Sequence, residues 1–366
     1  MVKRARERGA PALIVVIFSV LLLLTVTTGF MRLIVQDQTR STDSELSRSA
    51  YDAALAGVED GKRVLKACTD GGSSSAACQA INANACDTVS QARIVSSQAN
   101  GEVLIRKDST SNGGGYDQAY TCVKINTETN NYESSIKSDA SDVIPLTGTA
   151  AFNVIKVSWQ KADASGNGVA ATGIRTNFDL PPFASWSSGL NVTPPLLRLQ
   201  YIQHKGSFKM GDYEAATSDT ENNSRTLYLF PASSMIPDIK FNYSLNNRVK
   251  AHCVRGTCSA TIALPSTLKP NPANNDMIGY LRVMPMYGDA KVTVELNSAK
   301  FSWVQPSIDA TGRAGNVFRR VNVRTKYEPA DIQALYPRAT VDIRYDLCKS
   351  FTVSTDTYTN TSGCAY

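Results

Sequence analysis

Between Arg8 and Arg32 there is no charged side chain, and Ser19 is the only residue from Leu13 to Leu24 that is not large and apolar. About 20 residues of helix already span about 30 Å of hydrocarbon, so this segment is long enough to cross a bilayer. A secretory signal has a shorter apolar core, about 7–15 residues, followed by a small-residue cleavage site. The run here is longer, and "TVTTGFM" is a poor match to such a site. The segment therefore predicts a retained helix whose surface must be covered by lipid or by protein.

Lys3, Arg4, Arg6 and Arg8, set against Glu7, form a basic leader in front of it. The positive-inside rule then places the N-terminus in the cytoplasm and the bulk of the chain outside. That leader supplies half of the net charge of +6, and the small remainder argues against a dedicated nucleic-acid binder. All eight cysteines (Cys68, Cys78, Cys86, Cys122, Cys253, Cys258, Cys348 and Cys364) follow the apolar segment, as expected for an oxidising compartment.

Beyond Met31 the chain turns polar, and then "SELSRSAYDAALAGVEDGKRVLKA" repeats apolar or small residues at spacings of mainly three and four. Leu46, Ala50, Ala53, Ala54, Gly57, Val58, Gly61, Val64 and Leu65 would share one helical stripe. No proline lies between Pro11 and Pro145. The expected structure is one helix of about 55 residues, half in lipid and half packed on a globular domain. Its small residues would let a sheet approach closely, at about 1 kcal/mol of lost helix propensity for each glycine.

A basic leader ending in Gly9, a retained apolar span and an alanine-rich amphipathic continuation resemble a type IV pilin, and most closely a PilX-type minor pilin. The resemblance covers about the first sixty residues. It implies cleavage between Gly9 and Ala10 by a prepilin peptidase, and an assembly helix that includes Ile14, Leu21, Leu46, Ala50, Ala54, Gly57 and Val58. Most pilins carry Glu at the fifth mature position, where this chain has Ile14. That departure points away from a major subunit, since minor and tip subunits often lack the carboxylate. The implied partners are other pilin subunits, the pilus assembly machinery, the cytoplasmic membrane, and a host-surface or wall polymer.

Residues 67–145 are rich in Ser, Ala, Asn and Gly and hold four cysteines, which reads as a disulfide-stapled irregular region with short strands such as "EVLIRK" and "AYTCVKI". Residues 146–366 alternate as strands do, in "AFNVIKVSW", "PLLRLQYIQ", "RTLYLF", "IKFNYSL", "GYLRVMPM", "AKVTVEL", "NVFRRVNVRT" and "ATVDIRYDL". "YGDA" and "DASGNG" read as hairpin turns. The expected organisation is a leader (1–9), a transmembrane assembly helix (10–31), its amphipathic continuation (32–66), the stapled region, and a mainly antiparallel β domain. The fold class is α+β, with the β domain a sandwich or an open sheet.

Candidate sites are few. In "AHCVRGTC", His252, Cys253 and Cys258 invite a zinc reading, but the only other histidine is His204, and a hairpin closed by Cys253–Cys258 is preferred. Cys348 and Cys364 would bound a C-terminal loop whose closure contributes about 3 kcal/mol. That loop resembles the disulfide-bounded loop near the C-terminus of many pilins. Cys68–Cys78 and Cys86–Cys122 are the expected remaining pairs. "DASGNG" echoes the start of a calcium loop but has Ile174 where a bidentate carboxylate is required. In "NVFRRVNVRTK", alternation puts Arg320, Asn322, Arg324 and Lys326 on one face, a candidate for binding an anionic polymer.

No G-x-S-x-G, H-E-x-x-H or phosphate-binding glycine loop is present, so no enzyme activity, metal or cofactor is expected. The leading expectation is a structural and adhesive minor or tip subunit of a type IV pilus-like filament. The alternatives are a pseudopilin of a DNA-uptake or secretion system and a membrane-anchored, glycan-active surface enzyme.

Overall fold

A single helix, α1 (Ala10–Gly71), runs for 62 residues from the apolar segment into the body of the protein. The computed structural model describes residues 10–98, 100–107, 117–169, 183–186, 192–206, 209–213, 224–233, 239–241, 248–270 and 276–327. At 1.5 Å per residue the helix is about 90 Å long. It continues past the expected end at residue 66, because Cys68 is buried in the same core as Val64 and Leu65. The next residues fold as two short helices, α2 (Ala76–Ala83) and α3 (Thr88–Gln91). Ser75 caps α2, its hydroxyl accepting the Cys78 amide at 3.3 Å.

The packed half of α1 lies on a four-stranded antiparallel sheet in the order β1 (Val103–Arg106), β2 (Gln118–Thr129), β14 (Phe301–Ala314), β15 (Val317–Arg324). This corrects the expected boundary at residue 145. The "irregular" region contributes a 12-residue strand whose neighbour, β14, lies far along the chain. The region after residue 146, in turn, returns its last described strands to the helix. A reading along the chain cannot show this, since neither strand carries any mark of its distant partner.

The described strands between β2 and β14 form a second sheet, which constitutes the head. Its strands are β3 (Asn131–Ile136), β4 (Asp142–Pro145), β5 (Phe152–Ala162), β6 (Gly168–Val169), β7 (Leu196–Lys205), β8 (Ser224–Ala232), β9 (Ile239–Lys240), β10 (Arg248–Val254), β11 (Thr257–Leu268), β12 (Met277–Met286) and β13 (Ala290–Leu296). The main path runs β3-β13-β5-β11-β10-β8-β7-β12-β4, with β6 beside β5 and β9 beside β11. Pairing is antiparallel except for β8–β10 and β9–β11. A short helix, α4 (Phe183–Trp186), adds Trp186 to a small apolar cluster with Leu196 and Phe230.

The two end strands, β3 and β4, are consecutive in the chain, so the sheet curls until its ends meet. The Tyr132 hydroxyl donates to Asp142 across that seam at 2.7 Å. One core fills the curl, drawing Tyr132 and Ile136 from β3, Ile144 from β4, and Ile155, Val157 and Trp159 from β5. The strands of the head thus form one hydrogen-bonded sheet around one core. "YGDA" does turn the chain, with Tyr287 at φ 68°, but β12 and β13 do not pair. β12 lies between β7 and β4, and β13 between β5 and β3. "DASGNG" does join a paired hairpin, β5–β6.

β14 serves both cores. Phe301 and Val304 are buried in the head, while Ile308 and Ala310 are buried against α1. Between them the register against β2 slips from Ser302 to Ser307, and Trp303 takes φ 60°. Gln305, at this break, accepts the Glu133 amide at 3.0 Å and donates to the Glu133 carbonyl at 2.7 Å. The strand is thereby fixed to β3.

Candidate functional site

The helix α1 has two chemically different halves. From Ile14 to Val35 its large side chains are exposed, including Ile14 at 67% and Leu21 at 56%. The segment is long and apolar enough to cross a membrane. Its hydroxyl side chains are satisfied within the helix. Ser19 and Thr25 donate to carbonyls three residues back at 2.8 Å, and Thr27 and Thr28 to carbonyls four back at 2.9 Å. Such back-bonding lets hydroxyls enter an apolar medium without an unpaired donor.

The second half is seated by small residues. Leu46 is half-buried, Ala50, Ala53 and Ala54 are fully buried, and Val58, Val64 and Leu65 are nearly so. A Cβ on Gly57 would lie 3.1 Å from Tyr120 and Val123, and one on Gly61 would lie 2.8 Å from Ile308. The closest approach belongs to a glycine that the sequence reading did not single out. A Cβ on Gly312 of β14 would lie 2.1 Å from the Ala50 carbonyl oxygen and 2.3 Å from the Ala54 nitrogen. Helix and strand backbones are therefore in direct contact there. The only signal was a glycine in a strand interior, which often marks such an approach.

Polar contacts fix the seat. The Gln118 side chain donates to the Ser49 carbonyl at 2.7 Å, and the Tyr120 hydroxyl donates to Asp60 at 2.7 Å. Burial and the Asp60 carboxylate together push the Tyr120 phenol well above its ordinary pKa, so it stays protonated and donating. At the lower end of the sheet, Arg313 holds Glu102 with two bonds of 2.8 and 2.7 Å. The Arg313 hydrogen bond, partly opposed by burial, holds the Glu102 carboxyl below its usual range.

Three disulfides are present among the described residues: Cys68–Cys78, Cys86–Cys122 and Cys253–Cys258. The first ties α1 to α2, and the second ties the segment after α2 to β2. The third closes the β10–β11 hairpin, whose turn has Arg255 at φ 47° and Gly256 at φ 85°, as a two-residue turn of that hand requires. With Cys253 and Cys258 bonded to each other, neither is a thiolate for zinc, and His204 stands on a different strand, β7. No group of three or more metal-ligating side chains comes together among the described residues. The Asp163 carboxylate instead accepts the amides of Ser165 and Asn167 at 3.0 and 2.8 Å, an ordinary turn bond. Cys348, Cys364 and the strand expected in "ATVDIRYDL" lie outside the described residues, as does Gly9.

The basic strand face is also resolved. Arg320, Asn322 and Arg324 do share the outward face of β15, but each cation is engaged. Arg320 grips the Asp309 carboxylate with two nitrogens. Arg324 donates to the Asn131 side chain at 2.8 Å and stands 3.8 Å from Glu133, while Lys326 pairs with Asp142. Each of the three cations of this candidate face thus has a partner from another strand. Arg324 and Lys326 reach β3 and β4, the two strands of the head's seam, and so connect the helix-bearing sheet to the head. Sequence alternation located the face correctly but did not show the carboxylates supplied from distant strands.

No protein-family model and no curated protein matches the chain. Among solved structures, a surface-associated copper-binding protein of Methylomicrobium album BG8, CorA, aligns with 11% identity and a TM-score of 0.12, over 55% of this chain and 95% of that one. A likeness that slight carries no argument about fold or function.

Proposed function

We propose that this protein is a minor or tip subunit of a type IV pilus-like filament, with a structural and adhesive role. One observation carries the reading: a continuous helix, Ala10–Gly71, presents a bare apolar half and seats its other half on an antiparallel sheet through Ala50, Ala54, Gly57 and Gly61. In this reading the apolar half anchors the subunit in the cytoplasmic membrane, with the N-terminus inside and the head outside. On assembly that half leaves the lipid and packs against neighbouring subunits, so burial lost from lipid is recovered from protein contacts. The disulfides suit an oxidising exterior, and the head presents the binding surface.

Intact mass spectrometry of the mature protein tests this. A chain that begins at Ala10 and keeps the apolar segment is expected. A chain that retains Met1, or one cut near Thr28–Met31, overturns the reading.

A further inference from the structure

Five adjacent strands of the head, β11-β10-β8-β7-β12, contain no aspartate or glutamate. Leu197, Leu199, Leu227, Leu229, Leu281 and Val283 point from them into the core. Alternation therefore turns Arg198, Gln200, Thr226, Tyr228, Arg282 and Met284 to the outer face. The register aligns them. Arg198 is directly opposite Tyr228 on β8, and Tyr228 is opposite Arg248 on β10. On the other side, Arg198 faces Met284 and Gln200 faces Arg282, which makes Arg282 a diagonal neighbour of Arg198.

A line of two guanidinium groups and one phenol, Arg282, Arg198 and Tyr228, thus crosses three strands, about 10 Å at the usual strand spacing, with Arg248 beyond it on β10. Arg198 makes no ion pair among the described residues, and Arg282 donates to the Ser141 hydroxyl at 3.0 Å rather than to a carboxylate. On the adjoining strand β4, Asp142 is already held by Tyr132 and Lys326.

We propose that this outer face of the head binds an acidic polysaccharide of the polyuronate type. Guanidinium forks match carboxylates in a bidentate manner. Tyr228 is half-buried against the Trp186, Leu196 and Phe230 cluster and leaves part of its ring exposed for one sugar ring, and Gln200 and Thr226 supply hydrogen bonds for hydroxyl groups. Single-stranded nucleic acid fits less well, because it calls for successive aromatic platforms and this line has only one ring. The inference rests on the adhesive role proposed above for its setting and names the polymer class. It is tested on purified protein, so it stands or falls separately from the mature N-terminus.

Full-length protein in detergent micelles is immobilised, and binding of polygalacturonate, neutral dextran and a single-stranded DNA 20-mer is followed in about 50 and 500 mM salt. Polygalacturonate should bind, and at least about tenfold more weakly at the higher salt. The R198Q/R282Q pair should lose about tenfold or more, whereas R324Q/K326Q, on the helix-bearing side, should stay within about twofold. R248E, at an exposed position, provides a second variant should the pair fail to fold, and circular dichroism checks each. Absence of polygalacturonate binding, unchanged binding by the folded head variants, or DNA binding as tight as polygalacturonate binding would overturn the proposal.

Discussion

Replacing Gly312 with alanine tests whether backbone contact between α1 and β14 holds the helix in place. The new Cβ would stand 2.1 Å from the Ala50 carbonyl oxygen, 2.3 Å from the Ala54 nitrogen and 2.9 Å from the Ala53 carbonyl carbon. Gly312 is not in the left-handed region, so alanine brings no backbone strain, and the cost is steric. All three neighbours are main-chain atoms of a buried helix turn, so no rotamer change relieves the overlap. The helix must withdraw by roughly 1 Å. Withdrawal along two turns leaves a void on the order of 100 Å³, for which about 24 cal/mol per Å³ gives about 2–3 kcal/mol. The usual cost of overpacking, about 1–3 kcal/mol, is of the same size.

Thermal unfolding of the full-length protein in detergent, followed by circular dichroism, should show the melting transition of the helix-bearing sheet lowered by about 4–12 °C. Two further glycines calibrate the result. Gly29, in the bare apolar half, has nothing within 4 Å of a Cβ, and G29A should leave that transition unchanged. Gly61 meets the side chain of Ile308 at 2.8 Å, which can move, and alanine adds about 1 kcal/mol of helix propensity. G61A should therefore fall between the other two. A G312A protein that melts within about 2 °C of wild type would refute the backbone-contact argument.

Two more outcomes follow from contacts outside the helix seat. Neutralising Arg324 and Lys326 together should change overall stability little, since partly exposed ion pairs contribute about 0–1 kcal/mol each. It should nonetheless speed hydrogen exchange in β3 and β4 relative to β8, and equal protection in variant and wild type would remove the connecting role of these pairs. His204 is 2% exposed and stacks on Tyr280 with ring centroids 5.8 Å apart. Burial, partly opposed by Asp212, lowers its pKa below the usual 6.5, so below that pH the unfolded chain takes up the proton first. Stability should therefore be fully present above about pH 6.5 and decline as the pH falls below it. H204Q should flatten that decline in melting temperature, and an unaltered pH slope would contradict the assignment.

The helix was legible in the sequence because both of its signals are local. A charge-free run longer than 20 residues needs no partner to be recognised, and the three-and-four spacing of Ala50, Ala54, Gly57, Val58 and Gly61 marks the buried stripe directly. Strands such as β5 and β13 were visible for the same reason, since Ile155, Val157 and Trp159 alternate with polar neighbours. β14 was not visible, because Pro306 and Gly312 interrupt its pattern and its side chains serve two different cores. The roles of Arg320 and Arg324 were hidden by distance along the chain. A basic face is a local property, but the Asp309, Asn131 and Glu133 groups that engage it come from other strands. The carboxylate-free strands did have a local signal, in the absence of Asp and Glu from each segment. It acquires meaning only once the strand order places the five side by side.

That strand order also explains how a head of this size attaches to a helix whose exposed half it does not cover. The head is inserted between β2 and β14, neighbours in the sheet that seats α1. Both crossings are continuous with strands of that sheet: β2 ends at Thr129 and β3 begins at Asn131, while β13 ends at Leu296 and β14 begins at Phe301. An attachment through two short crossings leaves less freedom than one flexible linker, because each crossing restricts the rotation that the other allows. Gln305 and the Arg324 and Lys326 pairs add contacts at the same junction. A load on the head therefore passes through β2 and β14 to the small-residue face of α1, where Gly312 meets Ala50. That contact is made by backbone atoms of the helix, so it contains no side chain that a neighbour could displace.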